Sequence, residues 1–202
     1  MNVVSQFMHD PRKLHMDVVE RILRYLNSTH GKEILFSNHG NLKVERYTDA
    51  DWTCSKDDRR STFGYFTFVE GNLVTWRSKK QPVVARSSVE AEFRDMALGV
   101  CELMLIKIVL LDLGFKQNET MSLYCDNTSA IAIAHNPVQH DRIKHVEIDK
   151  HFIKEKLEAG IISFPLVRSE LQLVDVPTKG VSSRVFNESL FKLGMCDIHA
   201  PT

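Results

Sequence analysis

Apolar positions recur at helical spacing at Val18, Val19, Ile22, Leu23 and Leu26, which predicts an amphipathic helix that stops near Gly31. The period then shortens to that of strands. Glu33 to Ser37 and Leu42 to Tyr47 read as extended segments joined through Asn38-His39-Gly40, a turn composition. After a polar loop from Cys54 to Ser61, Thr62 to Val69 and Leu73 to Trp76 predict a hairpin turning at Glu70-Gly71-Asn72. Helical spacing returns in Met96, Val100, Leu103 and Ile106 and holds until Gly114. Ser87-Ser88-Val89-Glu90 marks the start of that helix as a capping box, in which Ser87 accepts from the amide of Glu90 and Glu90 reaches back to the amide of Ser87.

The rest of the pattern gives a strand from Met121 to Cys125, then a helix opened by Asp126-Asn127-Thr128-Ser129 and ended by Asn136-Pro137. A helix from Ile148 to Ala159 and a strand from Ile161 to Val167 follow. Ser169-Glu170-Leu171-Gln172 repeats the capping-box pattern and opens a short helix carrying Asp175, and Val181 to Leu193 forms a last helix. This order predicts an α/β fold with a mixed central sheet and helices on both faces.

Two of the strands end in acids. Tyr47-Thr48-Asp49-Ala50-Asp51-Trp52 places carboxylates at the end of an extended run, and Met121-Ser122-Leu123-Tyr124-Cys125-Asp126 repeats the arrangement. Aspartate is depleted in strands and an unpaired charge is seldom buried, so a shared cation would explain both. Ligand sites in open α/β sheets lie beyond the carboxyl ends of strands, where Asp49 and Asp126 fall. Glu92 from the long helix and Asp175 from the late one complete the candidate ring. Taken alone, Asp126 is an N-cap and Glu92 a first-turn acid favourable to the helix dipole; the recurring strand-to-acid pattern assigns them to one site. Two unit charges about 4 Å apart repel by roughly 1 kcal/mol in water and about 4 kcal/mol at an effective dielectric near 20, so four such carboxylates call for divalent cations. Oxygen ligation suits magnesium or manganese, and two such ions would serve an in-line phosphoryl displacement that cleaves phosphodiesters.

Charge narrows the substrate question. With Lys+Arg and Asp+Glu both at 26 the formal net charge is +0, so a polyanion must be met by a local patch. Arg77, Lys79, Lys80 and Arg86 stand between Trp76 and Arg86 with no acid among them, which fits either phosphate contact or an edge strand guarded by lysines. The scattered Cys54, Cys101, Cys125 and Cys196 read as reduced thiols, and His135, His140, His145 and His151 lack the zinc spacing. No G-x-S-x-G or Cys/His pairing points to a serine or thiol hydrolase. No apolar run approaches the roughly 20 residues of a membrane span and no signal-peptide core opens the chain, so the expected location is intracellular, cytoplasmic or nuclear, without a membrane partner.

The residues around these acids form a recognisable set. Tyr47 to Trp52, Asp58-Arg59-Arg60-Ser61-Thr62, Gly64-Tyr65, Trp76, Ser78-Lys79-Lys80-Gln81-Pro82 and Ser87 to Phe93 resemble the ribonuclease H domain of copia-type LTR-retrotransposon polyproteins. Tyr124-Cys125-Asp126-Asn127, Lys144-His145 and Gln172-Leu173-Val174-Asp175 extend the resemblance to about Lys179. Val4-Ser5-Gln6-Phe7-Met8 and Arg24-Tyr25-Leu26 resemble the tail of a preceding reverse transcriptase region, and no Y-x-D-D polymerase motif is present. The resemblance implies a ribonuclease H-like domain over 41–180, a reverse transcriptase remnant over 1–40, and a C-terminal helix and tail over 181–202. It implies metal-dependent cleavage of the RNA strand of an RNA/DNA hybrid, leaving 3′-hydroxyl and 5′-phosphate ends. In that scheme Asp49 bridges two ions, Glu92 and Asp126 complete the set, and Asp175 holds the ion that activates water, with Asp51 as a reserve ligand. Arg77, Lys79 and Lys80 would meet the hybrid's phosphates, Asn127 and Ser129 either its sugars or their own helix, and His145 would aid product release. The missing reverse transcriptase region would be a partner. Three departures stand out: Asp95 where the family carries a small residue, Pro177 inside the helix of Asp175, and Val167-Arg168. The alternatives are an inactive retroelement remnant that at most binds nucleic acid, and a nuclease of this fold with another substrate.

Overall fold

A computed structural model describes residues 2–5, 7–28, 31–52, 59–136, 147–179 and 181–197. Cys54, Asp58, Pro137, His140, Lys144 and His145, each used above, lie outside the described residues. In chain order the elements are α1 (Asn2–Ser5), α2 (Lys13–Ser28), β1 (Lys32–Ile34), β2 (Val44–Asp51), β3 (Thr62–Val69), β4 (Asn72–Lys80), α3 (Ser88–Asp112), β5 (Met121–Tyr124), α4 (Thr128–His135), α5 (Glu147–Glu158), β6 (Ile162–Ser163), α6 (Asp175–Thr178), α7 (Ser183–Lys192) and β7 (Met195–Asp197). No helix among the described residues is long and apolar enough to cross a membrane.

The main sheet has the order β4-β3-β2-β5-β6, with β2, β3 and β4 antiparallel and β5 and β6 parallel to β2. The predicted hairpin forms because Glu70 and Gly71 both take positive φ, 55° and 74°, as a two-residue primed turn requires. The Glu70 carboxylate offsets its strained backbone by accepting from the amides of His39 (2.9 Å), Gly40 and Asn41 (3.2 Å). β4 runs past Trp76 to Lys80, so Arg77, Lys79 and Lys80 stand on the outer strand of the sheet. The strand expected from Ile161 to Val167 shortens to β6, since Pro165 has no N–H to continue the ladder; one bridge, Cys125 to Leu166, follows. β1 is shorter than predicted and joins β7 in a separate pair.

Side chains alternate across β2 and bind different layers on its two faces. Thr48 bonds to Asp95 of α3, Ala50 packs near Ala91, and Arg46 lies against Gly99, so these three face α3. On that side Phe93, Met96, Val100 and Leu103 of α3 join Leu123, Ile133 and Ile153 in the larger core. Tyr47 and Asp49 point the other way, where Phe66 and Phe68 pack on Leu173, Val174 and Leu193. Helices thus cover both faces, as the pattern predicted.

Gly64, the register partner of Asp49, lets α6 lie on the sheet. A Cβ at this position would come within 2.7 Å of Thr178 Cγ2 and 3.0 Å of Val174 Cγ1. Gly64→Ala is therefore expected to lower stability by about 1–3 kcal/mol, read as a lower urea midpoint at unchanged slope. An unchanged midpoint would mean that α6 is not seated against β3.

Candidate active site

The parallel register of β2 and β5 pairs Tyr47 with Tyr124, whose rings stack with centroids 4.6 Å apart. Asp49 and Asp126 each follow their tyrosine by two residues, so the ladder brings both acids to one level at the carboxyl ends of neighbouring strands. The helix-capping duty suggested for Asp126 belongs instead to Asn127, whose Oδ1 accepts from the amide of Ala130 at 3.0 Å. Asp126 is left to face the site, where its Oδ2 accepts from the Ser169 hydroxyl at 3.0 Å. Ser169 therefore does not cap a helix. It begins a 3-10 turn over Ser169–Leu171, and the expected second capping box is absent.

Glu92 arrives from the first turns of α3. Ser87 caps that helix as predicted, accepting from Glu90 N at 3.1 Å, but Glu90 reaches the amide of Arg86 (2.9 Å) and the guanidinium of Arg94 (3.0 Å) rather than the amide of Ser87. Glu92 Oε1 accepts from the amide of Ala50 at 3.1 Å, which aims the carboxylate at the end of β2. Asp49 is 2% exposed and Glu92 4%. Burial, reinforced by the charge of Asp49, pushes Glu92 up to about 9. Burial also raises Asp49, against the hydrogen bond from Thr178 and the charge of Lys179.

Asp175 opens α6, and the four-residue helix accommodates Pro177 without loss of a helical hydrogen bond. Pro177 lies in the first turn, where its missing N–H has no helical partner to lose, and its carbonyl accepts from Ser78 Oγ at 2.8 Å. Asp175 reaches the acidic group through Lys179, whose Nζ lies 2.7 Å from Asp175 Oδ1 and 3.3 Å from Asp49 Oδ1. Thr178 Oγ1 lies 2.7 Å from Asp49 Oδ2 and 2.8 Å from the carbonyl of Val174; its single proton goes to the carboxylate, the stronger acceptor. Burial pulls the Lys179 ammonium down, but the hydrogen bond to Asp175 and the charge of Asp49 hold it above its ordinary value.

Asp49, Asp51, Trp52, Glu92, Asp126, Asn127 and Lys179 line an open cleft of about 480 Å³. Ligand atoms of Glu92, Cys125 and Asp126 all lie within 4.8 Å of one another. The Cys125 thiol donates toward Glu92 Oε2 at 3.9 Å, and burial pushes it up, so it stays protonated and leaves the carboxylate oxygens as donors. Such an oxygen set fits a hard divalent cation.

Asp95 does not enter the cleft. It is fully buried beneath β2, where its Oδ2 accepts from the Thr48 hydroxyl, and it acts on Glu92 only through its charge. Burial pushes Asp95 up to about 7, against the pull of Arg46 and Thr48. Arg46, 1% exposed, donates to Thr67 Oγ1 at 3.1 Å and places its guanidinium carbon 3.6 Å from the centre of the Tyr65 ring. Arg77, Lys79 and Ser129 are exposed, and Lys80 is half-buried. Sequence patterns missed Thr178 and Lys179, which carry no periodicity, and read Ser169 as a helix cap; their positions near acids become visible only in three dimensions.

No family model matches the chain. It is 39% identical over 195 residues to the retrovirus-related Pol polyprotein from transposon RE1 of Arabidopsis thaliana, a match covering 96% of this chain and 13% of the relative. It is 37% identical over 198 residues to the corresponding RE2 polyprotein of the same plant, covering 98% and 14%. The TNT 1-94 polyprotein of Nicotiana tabacum is 33% identical over 195 residues, covering 96% and 14%. The chain thus spans 13% to 14% of the length of these curated relatives. Among solved structures, LC11-RNase H1, isolated from compost by a metagenomic approach, superposes with a TM-score of 0.52 at 14% identity over 74% of this chain and 99% of that one. The fold is ribonuclease H-like.

Proposed function

Because the chain belongs to the copia-type retrotransposon Pol polyproteins, we propose that it is their ribonuclease H region, an endonuclease for the RNA strand of RNA/DNA hybrids. The observation that supports this most is the meeting of Asp49, Glu92 and Asp126 at the carboxyl ends of two parallel strands, with Asp175 tied in through Lys179. Residues 41–180 form the ribonuclease H unit in this proposal, 1–40 derive from the reverse transcriptase region, and 181–202 form a C-terminal helix and tail.

Asp49, Glu92, Asp126 and Asp175 would hold two magnesium or manganese ions, with Asp51 in reserve. Bound there, the ions would supply an activated water and stabilise the leaving oxygen of a phosphoryl displacement. The chain's own residues set this up. The amide of Ala50 fixes the Glu92 carboxylate, the Ser169 hydroxyl orients Asp126, and Asn127 holds the helix that begins beside it. The hybrid lies across the open cleft, recognised by its minor-groove shape and 2′-hydroxyls, with Asn127 and Ser129 placed for sugar contacts. Arg77, Lys79 and Lys80 on the outer strand meet its phosphates, and the reverse transcriptase region is the natural partner for holding a long substrate.

Incubating the protein with labelled hybrid and with duplex DNA, in magnesium or manganese and again in EDTA, tests the proposal. Metal-dependent cleavage of the RNA strand alone is expected. Binding without cleavage by folded protein would favour the inactive remnant, and cleavage of duplex DNA would favour another substrate.

The basic strand has its own test. Replacing Lys79 and Lys80 with Ala is expected to weaken hybrid binding and flatten the slope of log affinity against log salt by roughly 0.9 per lost phosphate contact. An unchanged slope would reduce these lysines to guards of an exposed sheet edge.

A further inference from the structure

We propose that Lys179 is the built-in counter-cation of the acidic group, holding Asp49 and Asp175 together until a divalent cation takes its place. The proposal rests on the metal-dependent function above. Lys179 Nζ lies 2.7 Å from Asp175 Oδ1 and 3.3 Å from Asp49 Oδ1, while Thr178 donates to the other oxygen of Asp49. Both Asp49 oxygens therefore already accept a donor. By contrast, Glu92 and Asp126 pair with no lysine or arginine among the described residues.

The acidic group is thus divided in two. The Glu92 and Asp126 side is open to a cation, whereas the Asp49 and Asp175 side is occupied by an ammonium. A divalent ion at the second side would stand within a few ångströms of that ammonium, and like charges at such a separation repel strongly. The lysine must leave for the ion to settle. It can do so cheaply, since its side chain is 39% exposed while its backbone amide stays bonded to the Asp175 carbonyl at 2.8 Å. Lys179 is a positioning residue: it keeps two acids in place in the metal-free fold and sets the threshold for the second ion.

Calorimetric titration of the full chain with manganese, without nucleic acid, tests this in wild type, Lys179→Met, Lys179→Gln and Lys179→Arg, each checked by circular dichroism. In wild type, one tight and one weak event are expected. In the Met and Gln variants the weak event should tighten by at least about tenfold while the metal-free protein melts lower, and Arg should behave as wild type. A lysine that merely braced the fold would weaken both properties together, so unchanged or weaker manganese binding in the Met and Gln variants would overturn the proposal. Should wild type bind no manganese, the metal-dependent function itself fails, a result distinct from normal binding that Lys179 does not influence.

Discussion

Asp126→Asn is expected to cleave hybrid at least about a hundredfold more slowly than wild type while unfolding within about 0.5 kcal/mol of it. Changes to groups that merely orient a metal ligand cost about 10–100-fold, so loss of a ligating carboxylate should cost no less. The fold should survive because the change conserves volume and removes no structural contact. Asn127, not Asp126, caps α4, and an Asn at 126 keeps a carbonyl oxygen for the Ser169 hydroxyl. Single-turnover cleavage measured beside urea unfolding separates the two effects. Activity within tenfold of wild type would remove Asp126 from the site, and a collapse in stability would make any activity loss uninformative about ligation.

Arg46→Met should destabilise the protein by an amount that grows with pH. The folded Asp95 carboxyl titrates at about 7 against an ordinary 3.8, raised by burial and restrained by the charge of Arg46. Its folded value lies above its unfolded one, so the stability linked to its proton is fully present below about pH 3.8 and is lost as pH rises through 7. Without Arg46 the carboxyl keeps its proton to still higher pH. Above pH 7 the variant should therefore fall behind wild type by up to about 1.4 kcal/mol per pH unit until its own Asp95 ionises. At pH 5 the difference should be smallest, because Asp95 is then neutral in both proteins. Urea unfolding at pH 5, 7 and 9 reads this directly. A loss of equal size at all three would show that the two buried groups do not sense each other.

Much of this arrangement was legible in the sequence because it follows from repeating patterns. The extended run of β2, the aromatic and β-branched residues of β3, the long stripe of α3 and the turn at Glu70-Gly71 each have enough residues to declare themselves. Two acids at matching distances past the ends of two strands were legible for the same reason. What escaped is short or runs against composition. β7 is three residues long, too brief for alternation to register, while β1 and α6 were expected but with other bounds. Arg46 occupies a buried position of β2 where the pattern would place an apolar residue. Only the neighbouring Asp95, Thr67 and Tyr65, brought together from two other elements, explain it. Asp95, one helical turn past Glu92, departs from the family without entering the cleft. Three residues along a helix proved enough to turn the side chain from the cleft into the core.

The β1 and β7 pair sets Lys32 beside Asp197 and Ile34 beside Met195, and the amide of Leu35 donates to the carbonyl of Gly194 at 3.1 Å. The pairing therefore brings residues 32–35 and 194–197 side by side, although more than 150 residues of chain separate them. Segments that a longer chain would continue before residue 32 and after residue 197 thus set out from neighbouring points.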